Sequence, residues 1–137
     1  MNEGWFGEQY VALLSEAEVR SATERYRIAE ALPGYAVLGL LGWDDFILRA
    51  PNGQTYSAAT VPLKLEHLST FEAPPASSLE PDPRFVGRVK WYVTPIAFGG
   101  DPSANDNLVW VSHQQHAELV VWWNAKYREL KASGAGA

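Results

Sequence analysis

The side chains that could take part in chemistry are concentrated in one turn-rich segment and in the helix predicted after it. The segment 98–107 reads FGGDPSANDN, and the helix carries His113 and His116. Histidines at positions i and i+3 can share one metal ion. With Asp101 or Asp106 as a third ligand, they would form the centre of a small metal-dependent hydrolase.

The segment 98–107 does not match the common phosphate and calcium loops. It has neither GxxxxGK[ST] nor GxGxxG, and its acidic residues do not follow the spacing of an EF-hand. Gly99 and Gly100 supply unusual backbone angles, and Asp101 before Pro102 is typical of a residue that caps a turn. The segment is therefore predicted to be a turn that joins two strands.

The two histidines also have a structural interpretation. His113 occupies the first predicted helical position and is expected to face solvent. His116 falls on the apolar stripe of the helix, where a histidine is commonly buried and hydrogen-bonded to the backbone. Two ligands are weak evidence for a metal ion, so neither a metal nor another cofactor is expected.

Other catalytic arrangements find little support. Adjacent side chains of a strand face opposite sides, so Asp44 and Asp45 are a poor acid–base pair unless the turn bends them together. They are interpreted as turn or cap residues. The serines lack a GxSxG motif. The chain has no cysteine, which excludes thiol nucleophiles, disulfides and thiolate zinc sites. The chain is therefore expected not to be an enzyme.

Local signals predict the elements that would position these residues. A capping box of Ser15 and Glu18 begins the first helix, and the turn at Asn52-Gly53 marks a hairpin. The predicted elements are a helix at 15–31, a hairpin at 45–58, strands at 89–97 and 108–111, and a helix at 113–131. Segment 61–71 is predicted to be an edge strand leading to a helical turn, and the proline-rich segment 72–84 a loop.

The order helix, strands, helix predicts an α+β fold, with one mainly antiparallel sheet and an N-terminal and a C-terminal helix packed on it. The length fits a single domain over 1–137 with a flexible tail at 132–137. Trp123 lies on the inward stripe of the last helix. Trp122 points away from that stripe, which indicates either burial against another element or an exposed contact patch. Burial is the prediction, because a domain of this length can wrap its last helix.

Composition limits the partners. The net charge is −5, and twelve of the sixteen acidic residues lie in 1–82, with five of the eleven basic residues. An acidic chain is a poor candidate for binding nucleic acid. No apolar run approaches the ~20 residues of a membrane span, and the N-terminus lacks the layout of a signal peptide. The protein is expected to be cytoplasmic and to bind neither nucleic acid nor membrane.

Three stretches together resemble the SUKH superfamily, bacterial proteins that often act as immunity proteins to polymorphic toxins. They are LPGYAVLGLLGWDDFILRAPNGQTY at 32–56, PIAFGGDPSANDNLVWVS at 95–112 and HAELVVWWNAKYREL at 116–130. The resemblance covers about 15–131. It implies a non-enzymatic domain that binds a cognate toxin and occludes the active site of the toxin, with no small-molecule substrate and no catalytic residue.

Acidic loop residues are the first candidates for contact with such a toxin. They could occupy a basic nuclease cleft and speed association by electrostatic steering, with one tryptophan as an aromatic anchor. The expected toxin-binding residues are Trp43, Asp44, Asp45, Glu80, Asp82, Asp101 and Asp106. The metal-dependent hydrolase remains the alternative.

Overall fold

A computed structural model of the chain describes residues 1–132, which form eight strands and two helices. The elements are β1 (Asn2–Phe6), β2 (Gln9–Leu13), α1 (Glu16–Arg25), β3 (Ala36–Leu41), β4 (Asp45–Arg49), β5 (Thr55–Ala59), β6 (Ser69–Thr70), β7 (Arg88–Tyr92), β8 (Leu108–Ser112) and α2 (His113–Ala132). Strands β1 to β6 form one antiparallel sheet in sequence order, and β7 pairs with β8 in a second, small sheet. The predicted α+β class is confirmed.

Helix α1 begins at the predicted capping box but ends earlier than predicted. The hydroxyl of Ser15 accepts a hydrogen bond from the N–H of Glu18, whose carboxylate accepts one from the N–H of Ser15. The helix stops after residue 25 because Arg27 adopts a left-handed φ of 52°. A short 3₁₀ turn follows. It buries Ile28 completely and leaves Ala29 exposed, whereas continued helical periodicity would bury Ala29.

The six-stranded sheet is buried on both faces. Phe46, Ile47 and Leu48 follow one another in β4, and all three are 0% exposed, because successive side chains of a strand enter opposite faces. The face of Phe46 and Leu48 packs against residues of both helices. The face of Ile47 packs against Leu79 from the proline-rich segment.

The proline-rich segment 72–84 is a loop, as predicted, and it covers the second face of the sheet. It is joined to the edge of β1 where the backbone N–H of Trp5 donates to the carbonyl of Glu80 (2.7 Å) and the N–H of Glu80 donates to the carbonyl of Trp5 (2.9 Å). A Cβ atom on Gly4 would lie 2.5 Å from the backbone of Glu80. The glycine therefore permits the close approach of the two backbones.

Segment 61–71 differs from its prediction. A 3₁₀ turn at Leu65–His67 comes first and the edge strand β6 follows it, while no strand forms at its start. The start of the segment is held by α2 instead. The buried Asn124 side chain accepts a hydrogen bond from the N–H of Leu63 (2.8 Å) and donates one to the carbonyl of Thr60 (2.8 Å).

Helix α2 matches its predicted range and begins at a capping box formed by Ser112 and Gln115. The predicted burial of Trp122 is wrong, because its side chain is 56% exposed. The predicted flexible tail lies outside the described residues except for Ala132, which ends α2. Within residues 1–132, no helix combines the length and apolar character needed to cross a bilayer.

The turn predicted at 98–107 is confirmed as part of the connection between β7 and β8. Strand β7 ends at residue 92, earlier than the predicted 97, and Pro95 lies in the connection. Proline cannot donate a hydrogen bond to a neighbouring strand, so the strand ends before it.

Candidate functional site

Five aromatic rings from distant parts of the chain form one cluster, which we call the aromatic cluster. Its members are Trp5, Tyr10, Trp43, Phe85 and Trp110. Tyr10 stacks on Trp43 at 4.9 Å, and Phe85 stacks on Trp110 at 5.1 Å. Trp43 meets Trp110 edge to face at 5.3 Å. The aromatic cluster therefore joins the six-stranded sheet to the small sheet.

Trp43 is held in an unusual backbone conformation. Its φ is 65°, in the left-handed region that bulky residues rarely adopt. Its indole Nε1 is buried without a hydrogen-bond partner, and its ring contacts the other rings of the aromatic cluster. Trp43 therefore packs inside the protein. Trp110, which is 42% exposed, is the ring beside it that faces solvent.

The strain at Trp43 leads to a testable prediction. Trp43→Gly and Trp43→Ala both remove the ring, but only alanine keeps a Cβ atom in the left-handed conformation. We expect Trp43→Gly to be about 1 kcal/mol more stable than Trp43→Ala in urea unfolding. Trp110 lies in the extended strand β8, where glycine costs more than alanine. At Trp110 the alanine variant should therefore be more stable than the glycine variant. If the glycine variant is the more stable one at both positions, strain at Trp43 is contradicted.

Asp44 and Asp45 lie at a cleft of about 410 Å³ next to the aromatic cluster, which we call the acidic cleft. The other residues lining it are Ala59, Val61, Trp91, Tyr92, Pro95, Ile96 and Ala97. The turn brings both residues to one cleft, which is the exception allowed for when they were predicted to be a poor acid–base pair, and Asp44 is a turn residue as predicted. Asp44 belongs to the turn before β4 and Asp45 to its first position, so the pleat of a strand does not separate them.

Partial loss of solvent perturbs both carboxylates of the acidic cleft, although Asp44 keeps an exposed surface and Asp45 is half-buried. Loss of solvent raises the pKa of Asp44, and the neighbouring Asp45 raises it further, although the Tyr92 hydroxyl and Lys90 act against this rise. The Tyr92 hydroxyl donates a hydrogen bond to Asp44 at 3.3 Å. Loss of solvent likewise raises the pKa of Asp45. Perturbed carboxylates in a cleft are characteristic of binding and catalytic sites.

Trp5 connects two further predicted contact residues to the aromatic cluster. Its indole N–H donates to the carboxylate of Asp82 at 3.0 Å, and its backbone pairs with Glu80. Arg84 also donates two side-chain hydrogen bonds to Asp82. The bonds from Arg84 and Trp5 lower the pKa of Asp82. The carboxylate of Asp82 is therefore engaged within the protein, whereas Glu80 is exposed.

Asp101 and Asp106 lie in the connection between β7 and β8. Asp101 accepts hydrogen bonds from the hydroxyl of Ser103 (2.7 Å) and its N–H (2.9 Å), which lower the pKa of Asp101. The prediction that Asp101 caps a turn is thus confirmed. Asn107 closes the connection by bonding to the N–H and the carbonyl of Thr94. Asp106 is exposed.

The same connection is anchored to α2 by Phe98. Its ring lies 4.7 Å from Trp123 and 6.4 Å from Tyr127, and Trp123 meets Trp122 at 4.8 Å. Ile96 lines the acidic cleft two residues before Phe98 and is 52% exposed. The exposed Ile96 and Trp122 therefore lie on either side of the contact between Phe98 and Trp123. Ile96 also adds exposed apolar surface to the acidic cleft.

The structure brings five of the seven predicted contact residues together. Trp43, Asp44 and Asp45 are consecutive, and Trp5 links Trp43 to Glu80 and Asp82. Asp101 and Asp106 lie further along the connection that forms one wall of the acidic cleft. Sequence reasoning missed Trp5, Tyr10 and Phe85, because no local spacing signals that such distant rings meet.

The two histidines do not face a common ligand site. His116 is 0% exposed, and its Nδ1 lies 2.6 Å from the Tyr26 hydroxyl, so it is buried as predicted but bonds to a side chain. The prediction that His113 faces solvent is wrong, since its side chain is 22% exposed and its Nε2 is buried. Within residues 1–132, no three His, Cys, Asp or Glu side chains are placed to hold a metal ion.

No family model, curated protein or solved structure matches this chain. The structure defines it by class: an α+β protein in which a six-stranded antiparallel sheet and a small second sheet meet at the aromatic cluster and the acidic cleft.

Proposed function

We propose that this chain is a non-enzymatic immunity protein of the SUKH type, acting in the cytoplasm by binding a cognate toxin domain and occluding the active site of the toxin. The observation that carries the proposal is the acidic cleft. Asp44 and Asp45 line it together, and partial loss of solvent raises the pKa of both. A lysine or arginine of a partner would restore to these carboxylates the favourable interaction lost with solvent.

Apolar groups near the acidic cleft suit a protein partner. Ile96 lines the cleft and is 52% exposed, and Val93 nearby in the chain is 53% exposed. Trp110 is 42% exposed and contacts Trp43, which precedes Asp44. Exposed aromatic and aliphatic side chains around a few charged groups are typical of the centre of a protein interface. We assign the anchor role to Trp110, because Trp43 packs inward.

The charge of the chain supports the same partner. The net charge of −5 would attract a basic surface and raise the association rate at low salt. A toxin that acts on nucleic acid has a basic active-site cleft, because it must hold phosphates. An acidic protein that inserts carboxylates there would compete directly with the substrate.

The experiment is co-purification of the tagged protein from its source cells, followed by mass spectrometry of the stoichiometric partner. With that partner, we expect Asp44→Asn plus Asp45→Asn to weaken binding at least tenfold, since breaking a buried charge pair costs ~2 kcal/mol or more. Glu24→Gln plus Glu129→Gln removes the same charge from exposed helical positions and should change the affinity little.

Two outcomes would count against the proposal. One is a stoichiometric partner whose activity the protein does not inhibit. The other is equal loss of affinity in the Asp44–Asp45 and Glu24–Glu129 double variants, which would mean that net charge acts rather than the acidic cleft.

A further inference from the structure

A second cavity, of about 290 Å³, lies between α1, strands β2 and β3 and the first residue of α2. The space exists because many of the lining residues are small, namely Ala12, Ala17, Ser21, Ala22 and Gly39. The cavity opens to solvent, because Met1, Ala17, Ser21 and Arg25 of its lining are exposed. Pockets for small ligands begin at about 300 Å³. The cavity is therefore of the size expected for a small ligand.

Two nitrogen-bearing side chains line the cavity without an acceptor. Within residues 1–132, the Arg25 guanidinium makes no ion pair and no hydrogen bond. The Nε2 atom of His113 is buried and has no hydrogen-bond partner, and the carboxylate of Glu3 lies 4.0 Å from it. Buried polar atoms are nearly always paired in folded proteins. The Nε2 atom of His113 therefore lacks an expected acceptor, whereas the exposed guanidinium of Arg25 is free to meet a ligand that enters from solvent.

The acidic groups at this cavity are already engaged. Glu18 receives hydrogen bonds from the amino group of Met1 and the N–H of Ser15, each at 2.8 Å, and these bonds lower the pKa of Glu18 to about 2. Glu3 accepts a hydrogen bond from the Tyr10 hydroxyl at 2.6 Å. Their negative charges are partly compensated, so the cation of Arg25 remains the group available to a ligand.

We propose that this cavity binds a small carboxylate with an apolar body, its carboxylate directed at Arg25 and His113 and its apolar part against the small side chains of α1, β2 and β3. A guanidinium and an imidazole N–H are both suited to carboxylate oxygens. The cavity shares no lining residue with the acidic cleft, so the inference is independent of the proposed toxin binding.

The test is calorimetric titration of the protein with octanoate, with octan-1-ol as the uncharged probe of similar length. We expect octanoate to bind and octan-1-ol to bind at least tenfold more weakly. Arg25→Gln should weaken octanoate about tenfold. Arg20→Gln makes the same change on the same helix, outside the lining of this cavity, and should leave the affinity unchanged. Bound octanoate should also raise the melting temperature.

Three results would overturn the inference. They are no binding of octanoate at millimolar concentration, equal binding of octanoate and octan-1-ol, and equal effects of Arg25→Gln and Arg20→Gln. Circular dichroism of both variants checks that each is folded. The titration needs no toxin, so its failure would leave the proposed immunity function untouched.

Discussion

Replacement of Asn124 by leucine is expected to destabilise the protein by about 3 kcal/mol. Asn124 is buried, accepts a hydrogen bond from the N–H of Leu63 and donates one to the carbonyl of Thr60. Leucine has a similar size but leaves both backbone groups buried and unpaired, and each such group costs ~1–3 kcal/mol. Urea unfolding at neutral pH measures the loss.

Two further variants test this explanation. Asn124→Asp keeps the acceptor for Leu63 but, when ionised, directs a carboxylate at the carbonyls of Thr60 and Val120. Its stability relative to the native protein should therefore improve in acid, where a protonated carboxyl can donate. Asn105→Leu alters an exposed amide and should change stability by less than ~0.5 kcal/mol. An Asn124→Leu protein as stable as Asn105→Leu would contradict the assigned role.

Acid is expected to weaken the fold through His116 before most carboxylates titrate. Burial lowers the pKa of His116 to about 3, whereas a histidine in the unfolded chain has a pKa of ~6.5. Below ~pH 6.5 the unfolded state binds this proton and the folded state does not, so stability falls with pH. The slope approaches ~1.4 kcal/mol per pH unit and persists down to about pH 3.

The measurement is the free energy of unfolding between about pH 5 and pH 6.5. His113, whose pKa is lowered chiefly by burial, adds to the slope, while Asp44 and Asp45, whose pKa values are raised by burial, oppose it. A variant combining Tyr26→Phe with His116→Leu removes the buried Tyr26–His116 pair but keeps His113, Asp44 and Asp45. Its unfolding free energy should therefore depend less steeply on pH, by the amount that His116 contributes.

The exposed His67 supplies the control for this slope. His67→Gln also removes one histidine, but from an exposed position, so it is the matched substitution against which the variant lacking the Tyr26–His116 pair is compared. An unchanged slope in the variant that lacks the Tyr26–His116 pair would show that other groups cause the acid sensitivity.

Features set by neighbours in sequence were predictable. The capping boxes at Ser15 and Ser112 and the hairpin around Asn52-Gly53 form as predicted, because each depends on residues within a few positions. The early end of α1 was not predictable. No glycine or proline marks Arg27, whose left-handed conformation lets Ile28 enter the core.

The candidate site was predictable in composition but not in arrangement. Acidic turn residues stand out in the sequence, yet only the tertiary structure shows that Asp44 and Asp45 line one cleft while Asp82 is held by Arg84. Asn124 carries no signal of its role, because an amide on a helix is ordinarily exposed. Trp122 was predicted to be buried because a domain of this length can wrap its last helix, but within residues 1–132 its side chain stays 56% exposed.

The unequal covering of the two sheet faces has a consequence for how the protein opens. One face is covered by helices with their own hydrogen bonds, whereas Leu79 and its loop lie over Val11, Leu41 and Ile47, tied to β1 through Glu80. Detaching a loop costs less than global unfolding. Local opening of the native state should therefore expose this apolar face first. The exposed face would favour self-association while the rest of the fold stays intact.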